Sequence, residues 1–111
     1  MKRFLVLFQA PISTAEQVAK ATPEQMKAGL DAWAAWARRA GSAIVDLGAP
    51  VGNGAALAKG SVSKGRTQVV GYSVLQGESI ETIAKLLAGH PHLHPPGFTI
   101  EVLEALPMPA A

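Results

Sequence analysis

Three imidazoles alternate with Pro91, Leu93 and Pro95 in the run His90-Pro-His92-Leu-His94-Pro. If the run is extended, a period of two sets all three on one side. Neutral imidazoles suit zinc, copper, nickel or iron, and three of them leave a position open for water or substrate. The same residues also fit a turn in which His90 sits at the negative end of a preceding helix and the other two are partly exposed. Asp46 is the second candidate, because a carboxylate inside the apolar run Ile44-Val45-Asp46-Leu47 must be paired, hydrogen-bonded or turned toward a cleft. In a cleft it would be a general base; at a dimer rim or bonded to the Gly48–Gly54 loop it would be structural. Trp33 and Trp36 stand three apart on one helix, so one can enter the core while the other lines a cleft; Trp33 is assigned to the core and Trp36 to the ligand side. Tyr72, the one tyrosine, needs a partner for its hydroxyl if buried. The candidate catalytic set is therefore Asp46, His90 and His92, with Trp36 and Tyr72 lining the cleft and the His90, His92, His94 triplet as the metal-binding alternative.

Other chemistries lack their residues. Val51-Gly52-Asn53-Gly54 has no Gly-Lys-Ser ending, so it is not a P-loop, and no motif requires a cofactor. An RNA-recognition sheet needs interleaved basic and aromatic residues, and Arg66 to Val74 supplies a single aromatic. Ten basic residues against eight acidic ones, scattered along the chain, leave a net charge of only +2, which is no nucleic-acid footprint. The absence of cysteine removes disulfides, thiolate metal sites and a cysteine nucleophile, and fits a reducing compartment. The apolar run Phe4–Phe8 is too short for a signal sequence, and no stretch approaches the roughly 20 apolar residues of a membrane span. A soluble cytoplasmic protein is the expectation, built as one domain over 1–111 with a short Pro-containing tail from about 105.

The elements that must hold these side chains follow from local pattern. Lys2–Gln9 reads as a strand with Phe4, Val6 and Phe8 on one face and Leu5 and Leu7 on the other. Ile12–Ala21 reads as a loop with at most one helical turn. Thr22-Pro23-Glu24-Gln25 is a helix start with a capping box, and the helix runs to Ala40 with Gly41 after it. Its apolar stripe is Met26, Leu30, Trp33, Ala37 and Ala40. Ser42–Gly48 reads as a strand, with Ile44 and Asp46 projecting one way and Val45 and Leu47 the other; a weak hairpin strand follows near Leu57–Ser63. Thr67–Gln76 is the central strand, apolar on both faces. Ser79 caps a second helix that buries Ile80, Ile83, Ala84 and Leu87, and Phe98–Glu104 alternates as an edge strand.

The order β-α-β-(β)-β-α-β predicts an α+β fold, an antiparallel sheet with two helices on one face in the ferredoxin-like arrangement. Two helices cover one face only, so the apolar residues on the other would form a patch that soluble monomers avoid; sheet-on-sheet homodimerisation removes it. The opening Lys-Arg-Phe-Leu-Val-Leu-Phe, the passage Ala40-Gly41 through Val45-Asp46-Leu47-Gly48-Ala49-Pro50, the strand Val70-Gly71-Tyr72-Ser73-Val74 with Ser79-Ile80-Glu81, and the ending His90-Pro91-His92-Leu93 through Ile100-Glu101-Val102-Leu103-Glu104 together resemble the YCII-related and DGPF-type proteins of the dimeric α+β barrel superfamily. The resemblance implies a dimer with a cleft in each protomer, and in some members a histidine–aspartate pair that works on small molecules by acid–base chemistry. Two features depart from that pattern. The long helix holds no histidine, and Gly60-Ser-Val-Ser-Lys-Gly65 stands where the Asp-Gly-Pro-Phe motif belongs. The readings carried forward are a small-molecule-binding homodimer with or without acid–base turnover, a non-catalytic accessory module, and a metal protein.

Overall fold

The computed structural model describes residues 1–109. In chain order the elements are β1 (Lys2–Gln9), α1 (Thr14–Lys20), α2 (Pro23–Ala40), β2 (Ile44–Pro50), β3 (Ala55–Ala58), β4 (Ser61–Lys64), β5 (Val69–Gly77), α3 (Ile80–Leu87) and β6 (Thr99–Glu104). Four strands form one sheet in the order β2-β5-β1-β6, and every neighbouring pair is antiparallel. The connection from β1 through α2 to β2 therefore skips over β5, and that from β5 through α3 to β6 skips over β1. Both central strands, β1 and β5, are the ones whose residues are apolar on both faces. The last two positions of the expected tail, 110 and 111, lie outside the described residues.

One face of the sheet carries the core. Phe4, Val6 and Phe8 of β1 and Leu75 of β5 are buried against Trp36 and Ala40 of α2 and Ile83 and Leu87 of α3. The opposite face is open, and across it Leu5 pairs with Val74 and Leu103, and Leu7 with Tyr72 and Glu101. Leu5 and Leu103 remain 38% and 48% exposed. For a chain of this mass a folded monomer exposes about 5,800 Å², whereas this one exposes 7855 Å². Its radius of gyration, 15.7 Å, likewise exceeds the roughly 13 Å of a compact domain this long.

Local chemistry explains the helix boundaries. The Thr22 hydroxyl accepts from the Gln25 N–H at 3.1 Å while the Gln25 side chain accepts from the Thr22 N–H at 2.9 Å, a complete capping box with Pro23 in the first turn. Thr22→Ala should lower stability by about 1 kcal/mol, read as a shift of the urea midpoint at unchanged slope. Ser79 caps α3 with a single bond, its hydroxyl accepting from the Thr82 N–H at 3.2 Å. The segment expected to be a loop is instead α1, because the Ser13 hydroxyl accepts from the Glu16 N–H at 3.1 Å and Thr14 anchors the turn by donating toward the carbonyls of Val51 and Val70, both 3.2 Å away.

The edge strand β2 departs most from regular geometry. Ile44 pairs with Leu75, Asp46 with Val74 and Ala49 with Tyr72, so β2 carries an extra residue at two places. Such bulges bend and twist an edge strand. They also undo the alternation expected there: Ile44 packs on the core while Val45, Asp46 and Leu47 are all exposed. Ser73, fully buried, donates to the Leu47 carbonyl at 2.6 Å and satisfies a group the disrupted ladder leaves over. Gly48 has φ +81°, and a Cβ there would lie 1.7 Å from the Tyr72 carbonyl oxygen, so only glycine fits.

The single hairpin strand expected near Leu57–Ser63 is a two-stranded ribbon of its own. Among the described residues β3 pairs only with β4, all eight of their residues are exposed, and the ribbon prolongs the β2–β5 pair beyond the sheet.

Candidate functional site

Between the bulged β2 and α2 lies a cavity of about 440 Å³. Leu47–Pro50 of β2 and Val70 and Gly71 of β5 line one side, Leu30, Trp33, Ala34 and Ala37 of α2 the other, and Phe8 and His92 the inner end. Thr14 and Gln17 of α1 close over it, and the Gln17 side-chain amide donates to the Ile12 carbonyl at 3.1 Å. None of the described lining residues is charged. A cavity of this size, apolar apart from a few convergent polar groups, has the character of a small-molecule site.

His90 and His92 are placed by one local interaction. Pro91–Leu93 forms a single 3-10 turn in which the His90 Nδ1 accepts from the His92 N–H at 3.0 Å. That turn replaces the extended geometry and removes the period of two: His90 and His92 are buried, His94 is exposed, and the three imidazoles do not share a side. Among the described residues no group of three or more His, Cys, Asp or Glu side chains could hold a metal ion. The triplet as a metal centre is thereby corrected.

The two buried histidines have distinct states. With Nδ1 accepting, neutral His90 carries its proton on Nε2, which is buried without a hydrogen-bond partner among the described residues. Its ring stands edge-on to Trp33 at 4.3 Å and 87° and lies 4.5 Å from Trp36 and 5.0 Å from Phe8. In that aromatic box burial, reinforced by the neighbouring His92 and His94, pushes the imidazole down to about 4. His92 donates its Nε2–H to the Gln9 carbonyl at 2.8 Å, since a carbonyl can only accept. Its lone pair therefore lies on Nδ1. Burial lowers the His92 pKa, opposed by the Gln9 and Thr99 carbonyls that favour the charged ring. At neutral pH His92 is an uncharged base in the cavity wall.

The structure brings together only part of the expected set. His92 lines the cavity, Tyr72 borders it although its side chain lies on the open face of the sheet beside Leu7, and His90 supports the inner end behind Phe8 and Trp33. The two tryptophans exchange the assigned roles. Trp36 is 1% exposed and donates its indole N–H to the Leu86 carbonyl at 3.1 Å, so it is a core residue, while half-buried Trp33 faces the cavity. Asp46 is exposed, accepts from the Gly48 N–H at 2.8 Å, and is not among the lining residues. The residues not singled out beforehand are Phe8, Thr14, Gln17 and Leu30. Thr14 was within reach of sequence reasoning through the Ser13-Thr14-Ala15-Glu16 cap; Leu30 was read as core, yet it is 71% exposed at the cavity rim. No family model matches the chain, and no curated protein matches it significantly.

Proposed function

We propose that the protein is a cytoplasmic homodimer of the YCII-related kind, ferredoxin-like in topology, that binds a small, uncharged, largely apolar molecule in the cavity beside α2. The strand order with its two interleaved β-α-β units supports the topology. The surplus of about 2,000 Å² over a monomer of this mass supports the dimer, being the area one subunit would contribute to a large obligate interface.

The observation that carries the ligand class is the combination of His92 with an uncharged wall. No lysine or arginine is among the described residues that line the cavity, so a carboxylate or phosphate would lose its hydration without a counter-charge. Among its side chains the wall includes two acceptors, the His92 Nδ1 and the side-chain oxygen of Gln17, whose amide nitrogen is already bonded to Ile12. The matching ligand is a planar apolar molecule bearing one O–H or N–H. In a catalytic version His92 Nδ1 takes that proton, with the Gln9 carbonyl holding the ring in the required tautomer, and the role first given to Asp46 passes to His92. An accessory module would bind without turnover.

His92→Gln tests this, because the glutamine amide can still donate to the Gln9 carbonyl while the basic nitrogen is lost. Titration of tryptophan fluorescence with 1-naphthol should show roughly tenfold weaker binding to the variant, the worth of one hydrogen bond. Naphthalene should bind both proteins equally and 1-naphthoate neither. Equal naphthol affinity in both proteins, or tighter binding of the anion, would sink the reading.

A further inference from the structure

Among the described residues the ribbon β3–β4 pairs with no other strand, and all of its residues are exposed. A two-stranded hairpin alone is marginal in water, and this one leaves Leu57 and Val62, paired across the strands, 75% and 72% exposed. The register puts Ala55, Leu57, Val62 and Lys64 on one ribbon face and Ala56, Ala58, Ser61 and Ser63 on the other. The first face is an apolar pair followed by a cation. From Pro50 to Gly77 the chain contains Lys59, Lys64 and Arg66 and no acid.

The complementary pattern lies on the open face of the sheet. Leu103 sits beside Leu5, and two residues back along β6 Glu101 sits beside Leu7. From Leu86 to the end the chain contains Glu101 and Glu104 and no lysine or arginine. Neither Lys64 nor Glu101 has an ion-pair partner among the described residues. The spacing agrees as well, since Val62 to Lys64 and Leu103 to Glu101 are both two-residue steps of about 7 Å along a strand.

We propose that each β3–β4 ribbon is an arm that clasps a second copy of this chain, seating Leu57 and Val62 on Leu5 and Leu103 of that copy and pairing Lys64 with its Glu101. The proposal rests on the homodimer reading and adds how the subunits hold each other. Sheets crossing near a right angle, one of the two preferred sheet packings, carry each arm over the other copy's β6. The contact is reciprocal, as a two-fold interface requires.

The test is a charge exchange read by sedimentation across a protein dilution series at low salt. Lys64→Glu and Glu101→Lys should each weaken the dimer about tenfold, and the double variant should recover most of the loss. Because the chain has no cysteine, Leu57→Cys chains co-expressed with differently tagged Leu103→Cys chains should also join through a short bismaleimide, whereas Leu57→Cys with Leu30→Cys should not. A dimer unmoved by either single charge reversal and giving no 57–103 product would overturn the arm and leave the homodimer standing. A wild-type monomer at all concentrations would remove both.

Discussion

Trp36→Ala should cost about 4 kcal/mol, a loss typical of truncating a large buried aromatic and a large share of the 5–15 kcal/mol that holds a domain together. Two independent terms add. The indole is among the largest fully buried side chains and packs with Phe4, Val6, Phe8, Leu75, Ile83 and Leu87, so its removal opens a void between α2, α3 and the sheet. It also supplies the hydrogen bond to the Leu86 carbonyl. That carbonyl lies in the last turn of α3, and the N–H that would continue the helix, on His90, bonds to Leu87 instead. Trp36→Phe separates the terms: it keeps most of the packing and should lose about 1–2 kcal/mol. Urea unfolding followed by far-UV circular dichroism at one fixed protein concentration measures both. A Trp36→Ala midpoint no lower than that of Leu30→Ala, at an exposed position on the same helix, would contradict the assignment of Trp36 to the core.

Acidification should cost nearly as much through a single side chain. His90 titrates at about 4 in the folded protein against an ordinary 6.5, so between those values the unfolded chain binds the proton and the folded one does not. Stability is therefore whole above pH 6.5, declines as pH falls through 6.5, and has lost about 3 kcal/mol by pH 4. His92, also lowered by burial, adds in the same direction. His90→Asn isolates the effect, since its side-chain carbonyl can replace Nδ1 as acceptor for the His92 N–H. The variant should be less stable at pH 7, having lost a ring from among Phe8, Trp33 and Trp36. Its stability should also change less between pH 6.5 and 4, by about one proton's worth of slope; carboxylates titrating at the acid end cancel in the comparison. Equal slopes in variant and wild type would mean that His90 is not the group that resists charging.

How much of this could be read beforehand depends on the range of the signals. β1, α2, α3 and the edge character of β6 were legible because their determinants are local: the Thr22–Gln25 capping box, the Ser79 cap, and the apolar runs of Lys2–Gln9 and Phe98–Glu104. The exchange of Trp33 and Trp36 was not, because residues three apart on a helix point only some 60° apart and hydrophobicity does not say which direction meets α3. The contact with Leu86 decides it, and that contact spans 50 residues. Consequently the stripe expected from Met26 to Ala40 is real only in its C-terminal half; Met26 and Leu30 are exposed. The cavity was hidden for a related reason, since it is lined by a bulged β2 whose register is fixed only where it pairs with β5. The histidine run misled because alternation presumes extended backbone, and the His90 ring bonding to the His92 N–H closes a turn instead.

The position of β1 also sets a timetable. Its neighbours on both sides are late in the chain, and Gln9 reaches Thr99 across 90 residues. At about 5–20 residues per second on the ribosome, β1 waits from several seconds to nearly twenty for its second partner. During that interval Phe-Leu-Val-Leu-Phe is an unpaired strand with two sticky faces, which is the profile of a segment that aggregates or occupies a chaperone. Sequence-distant strand pairing of this kind is also intrinsically slow to form, because the loop-closure entropy comes before the contacts that offset it. The β2–β5 ribbon, joined through the β3–β4 turn, can close long before.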